Sequence, residues 1–477
     1  MARDLPIRIG FGLLLSLSAM NAAEADDSKL LLLDSRLIEQ VRGARLTVGQ
    51  VEKHSGDPLF SADRPWEQRL DNVYANVIFD EDAKLFKCWY SPFIFDGAIE
   101  NTPRDQRDRV TYVEAWRKTT KPREMGLCYA TSADGIVWKK PSLRLYEYKG
   151  SLDNNLTLRI PPEGPHGTGV FRDERETDSR RRYKAFFSMN GGLWLSCSPD
   201  GLAWDAATRC EGTEVAGDTH NNLLWSSARQ RYVAFTRTWG DGIRQVARTE
   251  TVDLRAWTKP QVVLQGEDAR HQTYAMLVFH YAQVYLGLLM IFDTTSDRIH
   301  CELAWSPDTI EWHRVSPGTP LIANGPPDSY DFGCVFAAAY PILQAGRILL
   351  YYGGSNGPHG NWRDSFLCRA ELPIDRWAGY APESTDAPGH LVTRPLLCTG
   401  GTLHVNADAQ GGALRVSVLD ENGVMLAESE PIHTNVTDGA VRWTTGNNLA
   451  ALVDRTIQFH FELDRSRLYA IRFARTP

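Results

Sequence analysis

A short turn pattern returns along the chain and restricts what it can fold into. It reads Ser132-Ala-Asp134-Gly-Ile-Val-Trp138, then Ser198-Pro-Asp200-Gly-Leu-Ala-Trp204 and Ser306-Pro-Asp308-Thr-Ile-Glu-Trp312, and more loosely Thr251-Val-Asp253-Leu-Arg-Ala-Trp257. The hydroxyl and the carboxylate can bond the turn's own amides. An apolar strand leads in and a Trp-bearing strand leads out, so each copy is a hairpin with an aromatic plug. Recurrence at roughly 50 to 65 residues points to the blades of a β-propeller rather than to a solenoid or an α/β fold.

Between those turns the chain lays out five units of three or four strands. Their first strands open at Asp71, His166, Asp218, His271 and Tyr330. Enrichment in β-branched and aromatic residues, bounded by Gly, Pro, Asp and Asn, fits antiparallel strands. Helical periodicity is absent outside Ser35 to Arg42. Between Ala381 and Leu396 the composition shifts to Pro, Glu, Ser, Thr and Gly, which reads as a linker. Beyond it, stretches such as Ile457-Gln-Phe-His-Phe-Glu-Leu463 alternate apolar with polar residues, the period of a half-buried strand. The expectation is an all-β chain: a signal peptide over residues 1–25, a five-bladed β-propeller over 26–385 and a C-terminal β-sandwich over 396–477.

The leader is read from Arg3 and Arg8 ahead of the apolar run Ile9 to Ala19, with Ala23-Glu24-Ala25 as a cleavage site. It predicts a secreted or periplasmic protein with no membrane association after cleavage. A net charge of −7, from 52 basic and 59 acidic residues without a long like-charge run, argues against nucleic acid as partner. The eight cysteines lack metal-ligand spacing, and neither metal nor cofactor is expected. Cys88 and Cys128 fall on neighbouring strands and are the candidate disulfide.

In five-fold closure the innermost strands begin together at one end of the channel. That mouth would gather Asp71 and Asn72, His166, Asp218 and His220, His271 and Tyr274, and Asp331. Carboxylates crowded into one concave site cannot share one pKa, and glycoside hydrolysis needs that split between a protonated acid and an ionised nucleophile or base. Glu302, between Cys301 and Leu303, is a further acid candidate if it points inward. Trp89 and Tyr330 are candidate stacking surfaces for sugar rings. Each carboxylate has a structural alternative as a turn or cap. Arg172-Asp173 sits in the register of a turn and is read as one.

This layout resembles the five-bladed propeller glycoside hydrolases, the superfamily of invertases, levansucrases and arabinanases. The closest echo is glycoside hydrolase family 32. Ser329-Tyr-Asp331-Phe-Gly-Cys-Val-Phe-Ala338 is similar to that family's fifth-blade Asp-x-Gly strand, and Asp71-Asn72 lies where its first-blade nucleophile motif falls. Gly217-Asp-Thr-His220 replaces the family's Arg-Asp-Pro, and His271-Gln-Thr-Tyr274 replaces its Glu-Cys-Pro. The resemblance implies a carbohydrate substrate, Asp71 as nucleophile or base, Asp218 and Asp331 stabilising the transition state, and His271, Tyr274 or Glu302 as general acid. The competing reading is a non-catalytic carbohydrate-binding propeller.

Overall fold

The structure is a computed structural model that describes residues 19–21, 28–56, 58–119, 123–444 and 449–474, without the side chains of residues 19–21, 109 and 110. The expected leader lies outside the described residues, except that the backbone of Ala19–Asn21 pairs with Ile342–Gln344. Among the described residues no helix is long and apolar enough to cross a membrane.

The chain is nearly all β, and the repeated turn explains how its sheets are spaced. In each copy the hydroxyl accepts the amide three residues on, as from Gly135 to Ser132 (2.9 Å) and from Thr309 to Ser306 (2.8 Å). The Asp Oδ1 accepts the next two amides, as Asp200 does from Leu202 (2.8 Å) and Ala203 (3.1 Å). This closed network holds the fourth turn residue at positive φ in all four copies: Gly135, Gly201, Leu254 and Thr309. Each turn links the third strand of a sheet to its short fourth strand. Replacing Asp200 by Ala removes the acceptor for two amides and should lower stability by about 1 kcal/mol. Urea denaturation measures this, and an unchanged midpoint would contradict the role.

The first sheet runs Asn76–Asp80, Leu85–Tyr90, Leu127–Ser132, Trp138–Lys139, and the second runs His166–Arg172, Tyr183–Met189, Gly192–Ser198, Thr208–Arg209. The third is Asn222–Ser226, Arg231–Gly240, Ile243–Thr251, Gln261–Gln265, and the fourth begins His271–Tyr281, Val284–Asp293, Arg298–Ser306, His313–Val315. A fifth set, Cys334–Ala337, Arg347–Ser355 and Ser365–Pro373, is completed by Glu52–Lys53, a strand from ahead of the first unit. The fifth unit lacks the Ser-x-Asp turn, and this N-terminal strand supplies its outer edge.

Successive units touch through their first strands, except that the fourth meets the fifth through its third strand, Arg298–Ser306, which pairs in parallel with Cys334–Ala337. Asn76 donates to Thr168 O (2.8 Å) and accepts from Val170 N (3.0 Å), and Asn221 N donates to Gly167 O (2.9 Å). A Cβ at Gly167 would stand 1.6 Å from Thr219 O, so only glycine lets the second and third inner strands approach this closely. Asn222 accepts from Val278 N (2.9 Å), Ile299 N donates to Gly333 O (3.1 Å), and Ala339 N donates to Ala75 O (3.1 Å), returning to the first unit. The turn tryptophans pack on the preceding unit: Trp257 stacks on Phe186, Trp312 meets Phe235 edge-on, and Trp138 meets Tyr351 of the fifth unit.

Phe93–Phe95 pairs with Glu124–Met125 as a separate two-stranded sheet, and two further sheets have six strands each. One carries Thr402–Asp408 and Arg467–Ala474, the other Ala413–Leu419 and Thr456–Asp464, and a single apolar core joins Leu403, Val405 and Leu468 to Val416, Phe459 and Phe461. Three N-terminal strands, Lys29–Leu31, Ile38–Arg42 and Ala44–Val48, also hydrogen-bond into these sheets. Residues 29–48, grouped with the repeats in the sequence, therefore pair with the C-terminal strands. The stretch read as a linker contains Gly389–Thr393, a strand of the second sheet. Ser35 to Arg42 forms one 3-10 turn and a strand rather than a helix, because Asp34 caps the Arg36 amide and Ile38 then enters the sheet. All eight cysteines are buried free thiols. Cys128 stands opposite Tyr90 and Cys88 opposite Ala130, a register that leaves the candidate disulfide partners out of step.

Candidate active site

The entry ends of the inner strands bring Asp71, Asn72, His166, Asp218 and Tyr274 into one cluster. Val73 and Tyr74 are both left-handed (φ 63 and 44), a costly conformation for a β-branched residue. Tyr74 N closes on Asn72 O at 2.7 Å, and Ser91 N donates to Val73 O (2.8 Å), which holds the turn that presents Asp71 and Asn72 ahead of the first strand.

Asp71 Oδ1 receives two guanidiniums, Arg363 Nη2 at 2.7 Å and Arg69 Nη2 at 2.8 Å. Its Oδ2 makes no hydrogen bond among the described residues, and the side chain keeps 16% of its exposure. Burial pushes this carboxyl up, but Arg363 and Arg69 outweigh it and hold the group well below the usual carboxylate range. Arg363 also donates to Asn72 Oδ1 (2.8 Å), and Asn72 Nδ2 donates to Tyr74 Oη (2.7 Å) and Tyr274 Oη (3.1 Å). His359 Nε2 lies 3.0 Å from Tyr274 Oη. Burial, then the charge of Arg363, pushes His359 down to about 3, so its imidazole is neutral.

Asp218, largely exposed, accepts from Arg237 Nη2 (2.6 Å) and sits 3.3 Å from His166 Nε2. Burial lowers the pKa of His166 against the opposing pull of Asp218. The charges of Asp71 and Asp218 both act on Tyr74, His166 and Tyr274, which places the two carboxylates around one set of rings. The arrangement offers an ionised carboxylate with one open oxygen and, across the rings, a carboxylate–imidazole pair able to move a proton.

Other sequence candidates stand elsewhere. His220 is buried behind Tyr74, with Nε2 3.3 Å from Asn76 Oδ1, and burial pushes it down to about 3. His271 turns away to Asp268 (3.1 Å), and its neighbour Gln272 reaches the cluster instead, accepting from Arg244 Nη1 (3.0 Å). Asp331 binds Lys53 Nζ (2.6 Å) and Tyr352 Oη (2.9 Å), and with Tyr330 it lines a separate cavity of about 1050 Å³ beside Arg467 and Tyr469 of the C-terminal sheet. Glu302 does point inward, but Arg314 grips it (2.6 and 3.0 Å) along with His300 Nε2 (3.1 Å) and Gly318 N (3.0 Å). Trp89 is fully buried and donates to Gly201 O (2.6 Å), a contact between units rather than a sugar platform. Asp173 caps the Arg175 amide (3.1 Å), as a turn residue does, and its other oxygen meets Tyr232 and Lys184.

Sequence reasoning missed the arginines Arg69, Arg123, Arg237, Arg244 and Arg363, together with His359 and Tyr74. Two tryptophans adjoin this set: Trp239, 4.7 Å from the Arg244 guanidinium carbon and 5.3 Å from that of Arg237, and Trp362, which donates to Thr111 Oγ1 (3.1 Å) and meets Tyr112 edge-on. Among the described residues no group of three or more His, Cys, Asp and Glu is arranged to hold a metal ion.

No family model matches the chain, and no curated protein matches it. Among solved structures the chain is similar to a glycosyl hydrolase from Bacteroides ovatus, at 14% identity over 69% of this chain and 95% of that one with a TM-score of 0.47. It is also similar to an N-acetylgalactosamine deacetylase from F. plautii (12% identity, 70% and 97% covered, TM-score 0.43). A third is an alpha-L-arabinofuranosidase from Podospora anserina (12% identity, 68% and 98% covered, TM-score 0.42).

Proposed function

We infer that this protein is a secreted glycoside hydrolase of the five-bladed propeller kind, with a C-terminal β-sandwich, acting on an oligo- or polysaccharide. The propeller reading draws support from the circuit of contacts between successive units that starts and ends at the first unit, and the sandwich reading from the apolar core shared by the two C-terminal sheets. The observation that carries the enzymatic reading is Asp71: an ionised carboxylate with one oxygen bound by two arginines and the other without a hydrogen bond among the described residues, beside the same rings as the Asp218–His166 pair. Asp71 acts as nucleophile, or as base for water, and the Asp218–His166 pair transfers the proton to and from the glycosidic oxygen. Its place ahead of the first inner strand is the feature kept from the family 32 pattern.

The test is release of reducing sugar from a glycan panel by purified wild-type protein, with Asp71→Asn beside it. Turnover that disappears in the variant supports the reading. Glycans that bind to wild type but are never cleaved would favour the carbohydrate-binding alternative.

A further inference from the structure

Five guanidiniums surround Asp71 and Asp218: Arg69, Arg123, Arg237, Arg244 and Arg363. Four of them have a carboxylate at hand. Arg69 and Arg363 share Asp71, Arg123 Nε lies 3.2 Å from Asp96, and Arg237 holds Asp218. The remaining carboxylate nearby, Asp297, accepts the Gly360 amide (2.8 Å) and lies 4.0 Å from His359. Arg244 has no ion pair among the described residues, and its side chain donates only to the neutral Gln272. The mouth thus holds more positive than negative charge in a chain whose net charge is −7.

Arg244 is half-buried, and a partly desolvated cation without an anion is costly. Contacts with aromatic rings offset part of this: its guanidinium carbon lies 4.7 Å from the centroid of Trp239, 4.9 Å from Phe292 and 5.6 Å from Tyr274. Trp239 stands directly across the strand pair from Arg244 and is 47% exposed. Arg237 lies 5.3 Å from the same ring. An exposed indole is an apolar platform for the C–H face of a sugar, and a guanidinium fork matches a carboxylate or sulfate.

We propose that the rim made by Trp239, Arg244 and Arg237 selects a glycan bearing an anionic substituent, a uronate carboxylate or a sulfate ester, with Arg244 as its counter-ion. This rests on the glycan reading of the same mouth and names the substrate class. The test is calorimetric titration of the full wild-type protein with non-hydrolysable thio-linked oligosaccharides of one length, carrying a uronic acid, a sulfated sugar or only neutral sugars. At least one acidic ligand should bind about tenfold or more tightly than the neutral one, with affinity that falls as salt rises. Whichever acidic ligand is favoured identifies the substituent. Arg244→Gln should collapse that preference, and Arg244→Lys should retain part of it, with melting temperature as the control for folding. Equal binding of neutral and acidic ligands, or a preference that survives in Arg244→Gln, overturns the proposal. If acidic glycans bind through Arg244 but none is cleaved, the hydrolase reading fails and this one stands. If neutral glycans are cleaved without any acidic preference, the reverse holds.

Discussion

Replacing Asp71 by Asn lowers kcat/KM on the cleaved glycan by about 10³-fold, within the range that loss of a positioned acid, base or nucleophile commonly causes. The amide preserves an acceptor for Arg69 and Arg363, so the fold should persist while the open oxygen loses its charge. Asp331→Asn is the matched control. Asp331 binds Lys53 and Tyr352 at another cavity, and its loss should leave turnover per folded molecule within about twofold of wild type. Equal losses in both variants would place the chemistry elsewhere.

The arginines add a signed pH effect. They hold the folded pKa of Asp71 below its ordinary value of 3.8. Activity that depends on ionised Asp71 is therefore retained as pH falls through the ordinary range and is lost only below it. Arg363→Gln removes the largest of the favourable charges, raises that pKa, and should move the acid limb of the kcat/KM profile upward by about one unit or more. An acid limb that stays in place would mean that another group governs it.

What could be read from the sequence divides by range of interaction. The Ser-x-Asp turns were legible because every bond in them spans two or three residues, as between Ser132, Asp134 and Val137. Those turns counted four units, and the spacing of apolar strands supplied the fifth. Asp71 and Asp218 were legible as strand-entry carboxylates. The guanidiniums that tune them were not, because residues 69, 123, 237, 244 and 363 share no spacing and meet only when separate units come together. Asp331 misled for a related reason: its Tyr-Asp-Phe-Gly context is that of an inner strand, yet the ordered strand begins at Cys334 and Asp331 is drawn to Lys53, on a strand arriving from the N-terminal side. Nothing local marks Glu52–Lys53 as the partner of Ser365–Pro373, nor residues 29–48 as strands of the C-terminal sheets.

Glu302 supplies the second large effect, on stability rather than on catalysis. Its carboxylate has no exposure and four donors converge on it: two from Arg314, one from His300 and the Gly318 amide. Glu302→Ala leaves the buried Arg314 with only Glu267, an exposed partner at 3.2 Å. Breaking one side of a buried pair typically costs about 3–5 kcal/mol, and a loss of that size is expected in urea or thermal unfolding. Burial raises the carboxyl's pKa, but His300 and Arg314 more than reverse this, so the folded value lies below the unfolded one. The stabilisation from this carboxylate is therefore full above the unfolded pKa of about 4.3 and is lost as pH falls through the folded value. Wild type and variant should differ most near neutrality and converge in acid. Turnover per folded molecule should not change, because Arg314 and His300 fix Glu302 within the fourth sheet, with no contact to Asp71, Asp218 or His166. A variant that folds as well as wild type but has lost turnover would instead return Glu302 to the role of general acid and remove the His166–Asp218 pair from it.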